Sequence, residues 1–325
     1  LELLGQPFLR NKSANKSSEA ARFSFEYNRS LLIQQVKTLY AEYWYLKHKL
    51  DVYDQALAVI GQVLRSARDR QAEGTESGIQ VQRFTIEKNR YLRMRNEAEL
   101  DMMDARKQLV SMITPSDQSE LEFELESSLP VQPVRDTRES LLQYALQHRP
   151  DLQALELEAE ALGLKYKVEK RDRIPDLSLN FGYKNQSDGS EGFVIGGGIQ
   201  LPIFNRNRGN IRVAEAEYKS RETSLKITNR NIRNQVDVAY HRVQNLYEQW
   251  QDMQQNPLTP DMLETVRATY REGRYSLVEL LDATKAYVDG RSLYYRINAD
   301  YYQALFQLDT ITSGKLFSTQ NISDQ

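Results

Sequence analysis

From Leu32 onward the apolar residues Leu32, Val36, Leu39, Tyr43, Leu46, Leu50, Tyr53, Leu57, Ile60 and Leu64 follow one another at alternating spacings of four and three without a slip. An α-helix turns once in about 3.6 residues, so this alternation lines them all up on one stripe, and a stripe kept so long is a coiled-coil seam. The seam predicts a helix that starts near Ser17 or Ser18, either able to cap it, and ends before Gly74. At about 1.5 Å per residue that rod is roughly 80–90 Å long. A returning helix from Ser77 to about Thr114 carries Val81, Phe84, Tyr91, Ala98, Met102, Ala105, Leu109 and Met112 in the same register.

The arrangement occurs twice. Val36-Lys37-Thr38-Leu39-Tyr40 is echoed by Val236-Asp237-Val238-Ala239-Tyr240, and Glu73-Gly74-Thr75-Glu76-Ser77 by Glu272-Gly273-Arg274-Tyr275-Ser276. The offsets of the two pairs differ by a single residue, which marks matching points of a duplicated unit: a very long helix, a Gly-x-x-Ser turn and a returning helix. Prolines divide the rest. Residues 115–149 form an irregular segment with Pro115, Pro130 and Pro133 and a short helix ending near His148. Residues 150–174 form a helix that completes the first repeat. In the second half, 205–255 is the long helix, 256–260 an interruption, 261–312 the second hairpin with its tip near 271–277, and 313–325 a tail. The first hairpin occupies 13–114, its tip near 70–78. The two interruptions are read as one belt of irregular structure, with two unrelated loops as the other reading.

Composition narrows the function classes. The formal net charge is −2, with basic residues spread among acidic ones, so nothing resembles a nucleic-acid footprint. There is no cysteine, which removes disulfides and thiolate metal sites. No run of 18 apolar residues marks a membrane-spanning helix, and no signal peptide is visible; an opening at Leu1-Glu2-Leu3-Leu4 reads as a processed or trimmed start. Only 15 Gly and 9 Pro are present, in clusters, and the mean hydropathy of −0.65 suits rods with narrow apolar stripes. No phosphate loop, catalytic triad or metal cluster is apparent. The expectation is therefore a non-enzymatic protein with no cofactor. His48, His148 and His241 are scattered, Met102 and Met103 face different ways, and Tyr294, Tyr295, Tyr301 and Tyr302 read as interhelical packing.

The only β signal is at 175–204. Leu177, Leu179, Phe181 and Tyr183 alternate with Ser178, Asn180, Gly182 and Lys184. Beyond a polar loop, Phe193, Ile195, Ile199, Leu201 and Ile203 alternate with small or polar residues, apart from Val194. Two isolated strands are marginal in water, so the hairpin is either a soluble cap on the rods or part of a transmembrane β-barrel, whose weak signature is this alternation. A matching first-half strand is expected to end within residues 1–12, where Leu4-Gly5-Gln6-Pro7-Phe8 parallels Leu201-Pro202-Ile203-Phe204, with the rest of that hairpin upstream of Leu1.

Several of these segments together carry a resemblance: Arg149-Pro150-Asp151-Leu152, Ile174-Pro175-Asp176-Leu177, Leu201-Pro202-Ile203-Phe204-Asn205-Arg206-Asn207-Arg208-Gly209, and above all Tyr270-Arg271-Glu272-Gly273-Arg274-Tyr275-Ser276-Leu277-Val278-Glu279-Leu280-Leu281-Asp282-Ala283. The chain resembles the TolC-type outer membrane efflux proteins of Gram-negative envelopes, and the Pro-Ile-Phe wording is similar to their heavy-metal cation branch. The resemblance implies a mostly α fold with a small β part: helical hairpins forming an α-barrel tunnel, and strands of a 12-stranded transmembrane β-barrel shared by a homotrimer. It also implies an outer membrane location reaching into the periplasm. The expected partners are membrane lipid, a periplasmic adaptor protein and an inner-membrane pump of the RND type. Cargo is expected to be metal cations or drugs, with a type I secretion duct as the alternative within the family and a soluble coiled-coil scaffold as the alternative outside it.

The resemblance also assigns residues. Gly74, Ser77, Gly273 and Ser276 would form adaptor-docking tips. Glu279 and Asp282, three apart on one helix face, match a selectivity ring at the periplasmic entrance, and Tyr270 matches a tyrosine that holds that gate shut. Spacing alone favours a solvated acidic face for the two carboxylates.

Overall fold

The structure, a computed structural model, describes residues 5–75, 77–114, 129–175, 177–185, 189, 191–199, 206–255 and 257–320. Among the described residues eight helices and two strands follow in order: α1 (Gln6–Ala72), α2 (Gly78–Ile113), α3 (Arg138–His148), α4 (Pro150–Arg171), β1 (Leu177–Asn185), β2 (Glu191–Ile199), α5 (Arg208–Gln255), α6 (Asp261–Arg271), α7 (Leu277–Ile311) and α8 (Lys315–Gln320). The chain divides into two compact units. One comprises residues 1–30, 138–236 and 311–315, the other residues 31–137, 237–310 and 316–325.

In the first unit α4 lies between the beginnings of α1 and α5. Ser13 donates its hydroxyl to the Ala161 carbonyl at 2.9 Å, and Lys16 and Arg10 of α1 pair with Glu160 and Asp172. On the other side Lys165 and Glu158 of α4 pair with Glu217 and Arg221 of α5. Leu152, Leu157 and Val168 of α4 and Ala214 and Ile232 of α5 are buried. Arg149, just ahead of α4, is only 3% exposed. It grips Asp151 with two hydrogen bonds of 2.9 and 2.7 Å, reaches Gln235 at 2.8 Å and lies over the Tyr27 ring.

β1 and β2 pair antiparallel, Leu177 opposite Ile199, Phe181 opposite Ile195 and Tyr183 opposite Phe193. This register collects the large apolar side chains on one face, because successive strand residues point to opposite sides. That face is bare: Phe181 is 73% exposed, Phe193 86% and Ile195 73%. Leu201 and Ile203, expected to prolong the second strand, lie outside the described residues.

The second unit is built on the predicted seam. Leu50, Tyr53 and Ile60 of α1 pack with Tyr91 and Ala98 of α2 and with Leu263 and Tyr287 of α6 and α7. Tyr43 and Leu46 meet Ala105 and Leu109. Trp44, His48 and Tyr295 form an aromatic cluster, with His48 centred 4.3 Å from Trp44 and 4.6 Å from Tyr295. Tyr301 is fully buried and Tyr302 half-buried, and besides packing they donate hydroxyls to the carbonyls of Gln132 and Pro130. They thereby tie the proline segment to α7.

Two expected boundaries are corrected. The first helix begins at Gln6, not at Ser17 or Ser18, because Pro7 in the first turn lacks only an N–H that has no helical partner there. For the same reason residues 6–12, expected as a strand remnant, are helical, and residues 1–4 lie outside the described ones. The tail from 313 holds a short helix, α8. The buried Asp309 carboxylate accepts the N–H groups of Leu316 and Phe317 and so satisfies its first turn. Burial pushes the Asp309 carboxyl up, opposed by Lys37 and these two N–H groups.

Candidate functional site

The residues picked out as tips and gate all fall in the second unit, and the structure brings them together. Gly74 and Gly273 end α1 and α6 in the same way. Gly74 has φ +75° and Gly273 φ +73°, a left-handed conformation that a side chain disfavours. Each glycine N–H bonds three residues back, Gly74 to Gln71 and Gly273 to Tyr270, both at 3.0 Å. The next N–H bonds five back, Thr75 to Arg70 at 2.9 Å and Arg274 to Thr269 at 3.1 Å. This pair of bonds is the Schellman C-cap, so the duplication read from the sequence extends to the hydrogen bonds of the turn.

The returning helices start differently. Ser77 Oγ accepts the Ile79 N–H at 3.3 Å. Ser276 Oγ accepts the Glu279 N–H at 3.3 Å, and the Glu279 carboxylate accepts the Ser276 N–H at 2.7 Å. That reciprocal arrangement is a capping box. The Ser276 backbone N–H, then its hydroxyl, hold the Glu279 carboxyl below the usual carboxylate value. Glu279 and Asp282 are both exposed on the first turns of α7.

Tyr270 is buried in the cluster that joins the tips, with Leu64, Ala67, Phe84, Leu277 and Leu280. Its ring meets Phe84 edge-on at 6.0 Å. Arg70, from the last turn of α1, places its guanidinium 5.8 Å from the Tyr270 ring centre and donates to the hydroxyl at 3.4 Å. Sequence reading missed two elements here. The capping box was legible as Ser-x-x-Glu. Arg70 carried no signal, because its contact with Tyr270 spans 200 residues.

Among the described residues no group of three or more His, Cys, Asp or Glu side chains could hold a metal ion, and no helix is long and apolar enough to cross a membrane. His148 stacks on Tyr144 at 4.0 Å, and His241 lies exposed beside Asp237.

Residues 141–314, more than half of the chain, match the family described as outer membrane efflux protein. The chain belongs to the outer membrane efflux protein family. The cobalt-zinc-cadmium resistance protein CzcC of Cupriavidus metallidurans is 24% identical over 322 residues, which is 96% of this chain and 74% of that protein. The outer membrane protein VceC of Vibrio cholerae superposes with a TM-score of 0.82 at 18% identity, over 97% of this chain and 77% of that one. A membrane protein of Pseudomonas aeruginosa gives a TM-score of 0.82 at 20% identity, over 96% of this chain and 75% of that one.

Membership of the efflux family explains the fold: the mostly helical architecture is that of outer membrane channels. Within the matched region lie the second tip, Tyr270, Glu279 and Asp282, whereas Gly74, Ser77 and Arg70 lie before it. Of the segments that suggested the efflux family, Asp176 and residues 201–205 lie outside the described residues, as does Glu76 in the first tip.

Proposed function

We propose that three copies of this chain form an export duct of the outer membrane. Its periplasmic end is built from the paired tips and gated by Glu279, Asp282 and Tyr270. The observation that carries the reading is the tip: two like-built turns share one apolar cluster, and two exposed carboxylates follow directly on the second. Copied around an axis, Glu279 and Asp282 make a ring of negative charge that attracts cations and resists closure. The hydrogen bonds from Ser276 favour the ionised form of Glu279, and cations bound in a closed ring would relieve its repulsion. Tyr270, packed on Phe84 and held by Arg70, fixes α6 against α1 beside the ring.

Gly74, Ser77, Gly273 and Ser276 are the surface offered to a periplasmic adaptor, which joins the duct to an RND-type inner-membrane pump. The bare apolar face of β1 and β2 suits lipid, and the open strand edges suit pairing with further strands. Energy and cargo choice belong to the pump. The name of the 24% identical relative, a cobalt-zinc-cadmium resistance protein, favours metal cations as cargo.

The full-length protein in planar bilayers tests the gate. Divalent cations should block the single-channel current, and Glu279→Gln with Asp282→Asn should weaken that block. Unchanged block in the double variant would refute the assignment. A detergent-extracted mass other than three copies would refute the trimer.

A further inference from the structure

A cavity of about 190 Å³ opens between α1 and α6 in the second unit, its wall including Gln62, Arg65, Ser66, Arg267, Tyr270 and Arg271. Three guanidinium groups face this space and no carboxylate lines it. Arg267 is paired with Glu264, yet its Nε is buried without an acceptor. Among the described residues neither Arg65 nor Arg271 makes an ion pair. Arg271 has a partial local reason to be there, since it sits in the last turn of α6, where a cation complements the helix dipole. Arg65 lies in the interior of α1, exposed on the face opposite the one that packs. Arg65 and Arg271 are exposed, so water screens part of their mutual repulsion, and an anion seated between them would remove the rest.

The donors specify the anion. A guanidinium presents parallel N–H groups that match the paired oxygens of a carboxylate or a phosphate. Gln62 and Ser66 add neutral donors on the α1 side. We infer that this cleft is an oxyanion-binding site, taking one carboxylate or phosphate-type group between Arg65 and Arg271. The site borders Tyr270, but the inference requires only the cleft and stands whether or not Tyr270 serves a gate. Two sources share the chemistry, a free oxyanion and an acidic side chain borne by a protein.

Calorimetric titration of the full chain in detergent separates them, with inorganic phosphate in one arm and a glutamate-rich peptide in the other. Saturable binding of phosphate identifies a free oxyanion as a ligand, and binding of the peptide alone identifies a protein-borne carboxylate. In either case Arg65→Gln with Arg271→Gln should weaken binding about tenfold or more. Arg68→Gln, on the same helix but outside the cleft, should leave it unchanged. Arg65→Lys keeps the charge and removes the fork, and should give an intermediate loss while preserving the helical circular dichroism. Added sodium chloride should weaken binding by screening. No binding in either arm, or binding retained in the double glutamine variant, overturns the site.

Discussion

Ser276 and Glu279 hold each other. The serine N–H donates to the glutamate carboxylate at 2.7 Å, and the glutamate N–H donates to the serine hydroxyl at 3.3 Å. The residue proposed for charge at the gate is thus also the residue that starts α7, and substitution must separate the two roles. Glutamine at 279 still accepts the Ser276 N–H but carries no charge, whereas alanine does neither. Glu279→Gln should therefore change cation block and lower the melting temperature less than Glu279→Ala, which loses the hydrogen bond as well as the charge. Ser276→Ala, which removes the cap alone, should destabilise the second unit by about 1 kcal/mol. The cap also sets a pH dependence. The folded carboxyl lies below its ordinary value of 4.5, so it stabilises the tip above that value, and the contribution is lost as pH falls through the lowered one. Thermal melts across the acid range should show this limb in the parent and not in Glu279→Gln.

Gly74 and Gly273 allow a test of the duplication at single-residue scale. A Cβ at either would meet nothing within 4 Å, so alanine there is penalised by its backbone conformation and not by packing. Each substitution should cost about 1 kcal/mol, and the two costs should agree within error in denaturant titrations. A much larger loss at one tip would mean that the turns, alike in hydrogen bonding, are not alike in energetics.

Tyr270 and Arg70 join one tip to the other. Tyr270→Phe keeps the ring among Leu64, Phe84 and Leu280 and removes the hydroxyl, so the expected loss is about 0.5–1.5 kcal/mol. Tyr270→Ala empties the cluster and should cost about 3–5 kcal/mol. A double-mutant cycle of Arg70→Ala with Tyr270→Phe isolates the hydroxyl contact. The two losses should be less than additive, because either change alone removes it. If the pair holds the gate, both single variants should raise the open fraction in bilayers, and strict additivity in the cycle would refute the contact.

What was legible in the sequence was periodic or local. The seam is core in α1 from Tyr43 to Leu64, with Leu57 half-buried, because burial depends on spacing, which a sequence displays directly; toward its start Val36 and Leu39 are half-buried and Leu32 is exposed. The Schellman turns could be read from glycine placement, and the strands from alternation at Leu177–Tyr183. The start of α1 was misplaced because Ser17 and Ser18 have the chemistry of caps and residues 1–12 parallel the end of the second strand, although a proline is harmless in a first turn. Glu279 was read for its charge, which hid its place in Ser-x-x-Glu. Contacts set by packing across long separations left no trace: Arg70 on Tyr270, Arg149 on Gln235, the Tyr301 hydroxyl on the Gln132 carbonyl. The cap that Asp309 gives α8 is of the same kind, since the helix is too short to announce itself.

Arg149 supplies the sharpest test in the first unit. Its side chain is nearly inaccessible, and Asp151 satisfies it through both carboxylate oxygens while Gln235 of α5 takes a third donor. Removing one member of a buried ion pair costs more than the pair contributes, because the other charge stays behind without water or partner. Asp151→Ala should therefore destabilise the unit by about 3–5 kcal/mol. Gln235→Ala, which leaves the ion pair intact, should cost only about 1 kcal/mol. Replacing both charges by Arg149→Met with Asp151→Leu should recover much of the loss, since no unpaired charge remains. Urea unfolding of the three variants orders these effects. If Asp151→Ala were no worse than Gln235→Ala, Arg149 would have to be reaching solvent, and its role as the pin between α4 and α5 would fail.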